Sequence, residues 1–248
     1  MKRSYWEDMA ERYNEEIFDV RRQDKKALIT RAIKKYADRS HRVIDIGCAI
    51  GKWFPVLSPL CKEVIALDIS KANLEIAKKT YPRLNNITYL QRDMSRASIK
   101  LPVCELGICI NAILTPLSKD RRTFFTNLSR CIACNGTLIV TVPSMESYLL
   151  SRRIQQEYKI DRSVFKPLSS PAKGLRNWNN LLEGVFDIDD VPHKHFLAEE
   201  LHVLFSRAGF TPVQLKKIEY SWKTEFNTPP RWLRHPGPWD WMMVAKRN

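Results

Sequence analysis

Val43-Ile44-Asp45-Ile46-Gly47-Cys48-Ala49-Ile50-Gly51-Lys52 is the stretch whose reading decides the fold. A short apolar run breaks into a glycine-containing turn, and a helical pattern follows. A strand feeding a turn feeding a helix places backbone N–H groups at the carboxyl edge of a sheet, where open α/β folds bind ligands. Gly47 and Gly51 let the chain turn sharply and approach a ligand closely. The spacing separates two kinds of ligand. A dinucleotide fingerprint, G-x-G-x-x-G, needs a glycine five places after its first; here that place holds Lys52, and the pattern is D-x-G-x-A-x-G.

Working outward, strands are expected at 42–46, 63–67, 87–91, 105–111 and 137–142, with helices at about 52–60, 71–80 and 119–133 between them. Ser70 is placed to cap the second of these helices, and Asn135-Gly136 to close the third. Strand and helix periods alternate throughout, which predicts a doubly wound, largely parallel sheet. Three strands end on polar residues. Asp68 lies about twenty residues after the glycine turn, where a carboxylate can accept hydrogen bonds from both hydroxyls of a ribose. Asp93 with Met94 suits an adenine, one accepting from the exocyclic amine and the other packing on the ring. Asn111 ends strand four at the same edge. Any one of these also reads as an ordinary turn former.

Upstream, residues 4–19 read as an amphipathic helix with Tyr5, Trp6, Met9, Tyr13 and Ile17 on one face, serving either as core or as a lid. A second helix is expected over 20–38, with Ala27, Leu28, Ala32 and Ile33 inward. Downstream, residues 144–160 look helical. Residues 161–195 read as irregular and rich in proline, glycine and aromatics, too long for a plain connection. A helix at 197–208, strand six at 213–222, a Pro- and Trp-rich loop at 224–238 and strand seven at 239–246 complete the chain.

The set resembles the class I S-adenosylmethionine (SAM) dependent methyltransferases. Val43–Gly51 resembles their motif I, with Ala49 replacing the middle glycine. Val64–Ser70 resembles the ribose motif, Gln91–Met94 the adenine motif, Asn135–Val140 the turn into strand five, and His195–Phe210 the late helix of small-molecule members. The resemblance implies a seven-stranded sheet of order 3-2-1-4-5-7-6 with strand seven antiparallel and helices on both faces. It adds an N-terminal helical lid and an insertion after strand five. It implies one domain over 1–248: N-terminal helices at 1–39, a cofactor-binding half at 40–143, a substrate-side insertion at 144–195, and a C-terminal helix and hairpin at 196–248. It assigns the methionine part of SAM to Gly47, Ala49 and their neighbours Asp45, Cys48 and Gly51. The ribose goes to Asp68 beside Ile69, the adenine to Asp93 and Met94, and the region of the methyl group to Asn111. S-adenosyl-L-homocysteine would be the product.

In such a sheet the insertion and the 224–238 loop rim the site, so Tyr13, Tyr148, Trp178, Trp222 and Trp232 are candidate acceptor-binding residues. His193 and His195 are candidates for a general base, needed only if the acceptor is still protonated at working pH; both also read as loop or capping histidines. The 248 residues are 44% hydrophobic with no run long enough to span a membrane, and the N-terminus lacks the apolar core of a secretory signal. The six cysteines sit mostly in apolar runs, as in a reduced, cytoplasmic protein. Cys131-Ile132-Ala133-Cys134 lacks the second ligand pair of a zinc site, and no metal is expected. The net charge of +14 favours a polyanionic partner, but it is spread over doublets such as Lys34-Lys35 and Lys216-Lys217. Strand four lacks the Asn/Asp-Pro-Pro-aromatic signature of methylases acting on bases. The readings kept are transfer to an O or N atom of a small molecule, transfer to tRNA or rRNA, and SAM binding without catalysis. Oligomeric state is not legible.

Overall fold

The computed structural model describes residues 3–161, 178–188 and 191–248. Strand β1 (Arg42–Ile46) lies at the centre, parallel to β2 (Glu63–Asp68) on one side and to β4 (Cys104–Ile110) on the other. β3 (Ile87–Gln91) continues beyond β2, and β5 (Ile132–Pro143) beyond β4, both parallel. β9 (Trp239–Arg247) inserts antiparallel between β5 and β8 (Phe210–Glu219). The sheet order is β3-β2-β1-β4-β5-β9-β8, which in sheet-strand numbering is the expected 3-2-1-4-5-7-6.

Alternation along β1 explains why both faces are covered. Successive side chains of a strand point to opposite faces. Ile44 and Ile46 join the core beneath the helices α7 (Ser118–Cys131) and α10 (Ala198–Arg207), through Phe124, Leu128, Leu201 and Phe205. Val43 joins the opposite core with Ile29 and Ile33 of α4 (Leu28–Tyr36), Leu57 of α5 (Phe54–Leu57) and Leu74 of α6 (Lys71–Thr80). Strands buried on both faces read as continuous apolar runs. α6 starts where expected, with Ser70 Oγ accepting from the Asn73 amide at 3.1 Å.

Four expectations need correction. The helix read over 20–38 is broken: α3 (Val20–Gln23) ends, Ala27 adopts a left-handed φ of 49°, and α4 begins at Leu28. Asp24 folds back to accept from the Ile29 amide at 2.9 Å, capping α4. Ile29, not Ala27, therefore faces inward, and Ala27 is exposed. Asn135-Gly136 does not close α7; that helix ends at Cys131, and Ile132 already pairs with Cys104 before the chain bulges through Asn135 (φ 61°) back into register at Thr137. Strand six runs from Phe210, immediately after Gly209, rather than from 213. The stretch read as irregular contains an antiparallel hairpin of β6 (Val185–Ile188) and β7 (Val191–Lys194). Residues 178–183 just before it are helical (α9), and Phe165, Pro167, Pro171 and Gly174 lie outside the described residues.

At the other end, α1 (Arg3–Met9), a 3-10 turn and α2 (Tyr13–Glu16) form a nearly continuous helical run. α8 (Met145–Tyr158) follows β5, with its Ser144 cap accepting from Ser147 at 3.0 Å. No helix among the described residues is long and apolar enough to cross a membrane.

Candidate active site

The order of strands reverses between β1 and β4, and ligands of open α/β sheets bind outside the carboxyl ends at such a point. Here β1 ends in Gly47, whose amide bonds to Leu67 O at 2.8 Å, as does that of Cys48 at 3.0 Å. Gly47 has φ +71°, and a Cβ there would lie 2.4 Å from Ala112 Cβ. Backbone from β1 and from the segment after β4 therefore meets with no room for a side chain. Ala49 also takes a left-handed φ of 47°, a conformation that L-residues adopt at a cost of about 1–2 kcal/mol. Its amide donates to Asp68 Oδ2 at 2.8 Å, which ties the turn to the end of β2.

Asp68 is buried and also accepts from the Ser70 amide at 2.8 Å, on its other oxygen. Burial raises its pKa, against the pull of the Ser70 and Ala49 amides. Asp45, directly under the turn, is held up to about 8 by burial and by the charge of Asp68. Its Oδ2 has no hydrogen-bond partner. Among the described residues no Lys or Arg pairs with either carboxylate.

A crevice of about 120 Å³ opens above them, walled by Gly47, Ala49, Asp68, Ile69, Asp93 and Met94, with Trp6 and Tyr13 of the N-terminal run facing in. Asp93 turns one oxygen to the Ser95 amide (2.8 Å) and hydroxyl (2.6 Å). Glu7 fastens the N-terminal run to the body. It accepts from Ser70 Oγ at 3.0 Å, the Lys71 amide at 2.9 Å and the Ala72 amide at 2.9 Å, at the start of α6. Although partial burial pushes its carboxyl up, the Ala72 and Lys71 amides, Arg3 and Ser70 bring it down to about 2.

A larger cavity of about 640 Å³ adjoins the crevice. Its walls come from the N-terminal run, the β1 turn, the start of α8, the β6–β7 hairpin and the segments flanking β9. Trp6, Tyr13, Gly47, Ala49, Asn111 and Leu114 line both spaces.

Residues 43–136 match a family described as a methyltransferase domain. No curated protein sequence matches the chain. Solved structures match over nearly the whole chain. A protein of Pyrococcus horikoshii is 17% identical, covers 96% of this chain and 99% of its own, and superposes with a TM-score of 0.63. A SAM-dependent methyltransferase of Anabaena variabilis is 15% identical, with 99% and 94% covered and a TM-score of 0.64. The N-methyltransferase NodS of Bradyrhizobium japonicum, crystallised with S-adenosyl-L-homocysteine, is 13% identical, with 98% of each chain covered and a TM-score of 0.60. At these identities the likeness is one of fold.

The candidate residues separate into groups. Gly47, Ala49, Asp68, Ile69, Asp93, Met94 and Asn111 converge on the crevice. Asp45 and Gly51 lie behind the turn and line neither space; a Cβ on Gly51 would meet the Phe54 ring at 2.5 Å. Cys48 lines the larger cavity, its thiol pushed far up by burial and by Asp68, so it stays protonated. Asn111 is already engaged: its Nδ2 donates to Asp240 at 2.7 Å, and its Oδ1 accepts from Thr141 at 2.9 Å.

Tyr13, Tyr148, His193 and His195 do line the larger cavity. Tyr148 stacks on Phe186 at 4.0 Å and tilts against His195 at 5.1 Å. His195 is buried and held neutral, its pKa lowered to about 4 by burial. Three tryptophans expected at the acceptor wall lie elsewhere among the described residues. Trp222 stacks on Phe226 in a separate core cluster with Ile160 and Leu233, its Nε1 donating to Pro236 O at 3.0 Å. Trp178 and Trp232 are each 57% exposed and line neither space. The walls missed in the sequence are Tyr220, Glu225, Trp239 and Asp240. Asp240 had a signal: a lone carboxylate inside the apolar run Trp239–Val244.

Proposed function

We propose that this chain is a SAM-dependent methyltransferase acting on an oxygen or nitrogen atom of a small molecule, with S-adenosyl-L-homocysteine as the other product. The observation that carries this reading is the continuity of crevice and cavity through Trp6, Tyr13, Gly47, Ala49, Asn111 and Leu114. Transfer needs donor and acceptor sites that share a wall, because the reacting atoms have to meet in line. A cavity of about 640 Å³ matches the volume of small-molecule pockets.

The residues present fit an adenosyl sulfonium. Asp68 keeps lone pairs for ribose hydroxyls beyond the two amides it serves. Asp93 and Met94 stand beside each other for an adenine amine and ring. Asp68 lies on the crevice wall without a Lys or Arg partner among the described residues; burial pushes its carboxyl up, which a cationic ligand offsets. The absent Cβ at Gly47 lets the turn pack against Ala112, which also lines the crevice. When bound, SAM supplies a methyl group already activated for transfer. The chain's task is then alignment and exclusion of water, for which Trp6 and Tyr13 roof the crevice.

Titration calorimetry with SAM, followed by a screen of small molecules and tRNA for uptake of labelled methyl, tests the proposal. Absence of SAM binding refutes it. The charge of +14 favours the RNA alternative; that alternative requires tRNA affinity falling steeply with salt. SAM binding with no transfer to any acceptor would instead identify a non-catalytic SAM-binding protein.

A further inference from the structure

The charge inside the larger cavity is uneven. Of the cations on its wall, Lys52 pairs with Asp19 at 2.8 Å and Arg12 with Glu16 at 3.2 Å, while the Arg21 guanidinium donates to Lys52 O and lies 5.9 Å from the Trp53 ring centroid. Glu225 and Asp240 also line it, and among the described residues neither has a Lys or Arg within ion-pair distance, although the charge of Arg152 acts on Glu225. His195, just after the hairpin and also on the cavity wall, is neutral.

Asp240 is held rigidly. Asn111 Nδ2 (2.7 Å) and Tyr220 OH (2.8 Å) both donate to its Oδ2. No described residue donates to Oδ1, and Asp240 lines the cavity. Asn111 lines both spaces, so Asp240 stands at the junction of donor crevice and acceptor cavity. Tyr148, Tyr220 and Trp239 line the same cavity; aromatic faces attract cations, and Arg152 already lies 5.1 Å from the Tyr148 centroid and Lys217 3.7 Å from that of Trp239.

Resting on the methyl-transfer reading above, we infer that the acceptor is an amine that enters as an ammonium ion, bound by Asp240 Oδ1 and Glu225 against the aromatic walls. The ammonium gives one proton to Asp240. The freed nitrogen lone pair forms the N–C bond as the C–S bond of the sulfonium breaks, and the sulfur keeps that electron pair. The raised pKa of Asp240, caused by burial, suits a group that takes a proton and later releases it to solvent. A neutral hydroxyl or an anionic carboxylate acceptor would leave Asp240 without a counter-charge.

The test uses the full chain and labelled SAM against three panels of matched size: primary and secondary amines, alcohols and phenols, and carboxylates. Labelled methyl in the amine panel alone is the expected result. Label in either other panel without the amines, or no label in the amines, overturns the inference. Asp240→Asn and Glu225→Gln are each expected to raise KM for the responding amine at least tenfold, and Asp240→Asn to flatten the acid limb of its pH profile. SAM affinity by calorimetry should stay within twofold, which also reports folding. Unchanged KM in both variants overturns the inference. Failure of the wild-type chain to bind SAM removes the methyltransferase reading itself, a separate outcome.

Discussion

Removing the Glu7 carboxylate should unlatch the N-terminal run without unfolding the sheet. α1 contains no buried residue, so burial contributes little to holding it. Glu7 instead meets the two amides at the start of α6 and the Ser70 hydroxyl, all within 2.9–3.0 Å. A side chain satisfying amides at a helix N-terminus contributes about 1 kcal/mol, and its charge beside the helix dipole about 0.3–1 kcal/mol more. The sum, about 1–2 kcal/mol, corresponds to a roughly 5- to 30-fold loss of the closed arrangement. Glu7→Ala should therefore weaken SAM binding by up to that factor and speed amide exchange in α1, while exchange in β1 and β4 is unchanged. The pH dependence has a definite sign. The folded carboxyl titrates at about 2 against an ordinary 4.5, so the latch is complete above about 4.5 and is lost as pH falls through about 2. If α1 exchange and SAM affinity were the same in Glu7→Ala as in the native chain, the carboxylate would not be the latch.

Gly47→Ala combines a left-handed backbone with a Cβ 2.4 Å from Ala112 Cβ, and should destabilise by about 2–5 kcal/mol by urea unfolding. Asp68→Ala removes the acceptor for two buried amides and for the proposed ribose contacts. It should reduce SAM affinity by about 100-fold or more in calorimetry, the loss of two hydrogen bonds to a charged group. Trp222→Ala should lower stability by about 3–5 kcal/mol through the cavity it leaves, yet leave SAM affinity untouched, because its cluster lies apart from the crevice.

Much of this protein is local in origin. Apolar runs bounded by turn residues placed β1 to β4 within a residue of where they lie, and the Ser70 cap marked the start of α6. Asp68 and Asp93 were legible because strand ends of a parallel sheet all emerge at one edge, so position along the chain maps directly onto position at the site. The break at Ala27 was hidden, since helical periodicity continues across it and only the Asp24 cap reveals the interruption. Trp222 and Trp232 were misplaced because aromatic character says a residue will find apolar neighbours, not which ones.

The acceptor side belongs to another order of information. Asn111 and Asp240 are 129 residues apart and bond at 2.7 Å. They meet only because β9 enters the sheet antiparallel between β5 and β8, bringing its first residues to the edge where β4 ends. Local pattern determined the strands, the glycine turn and the carboxylates of the crevice, since each depends on a few consecutive residues. Long-range packing alone decided which charges line the cavity and which are neutralised, because that depends on side chains the chain brings together only after the sheet has closed over them.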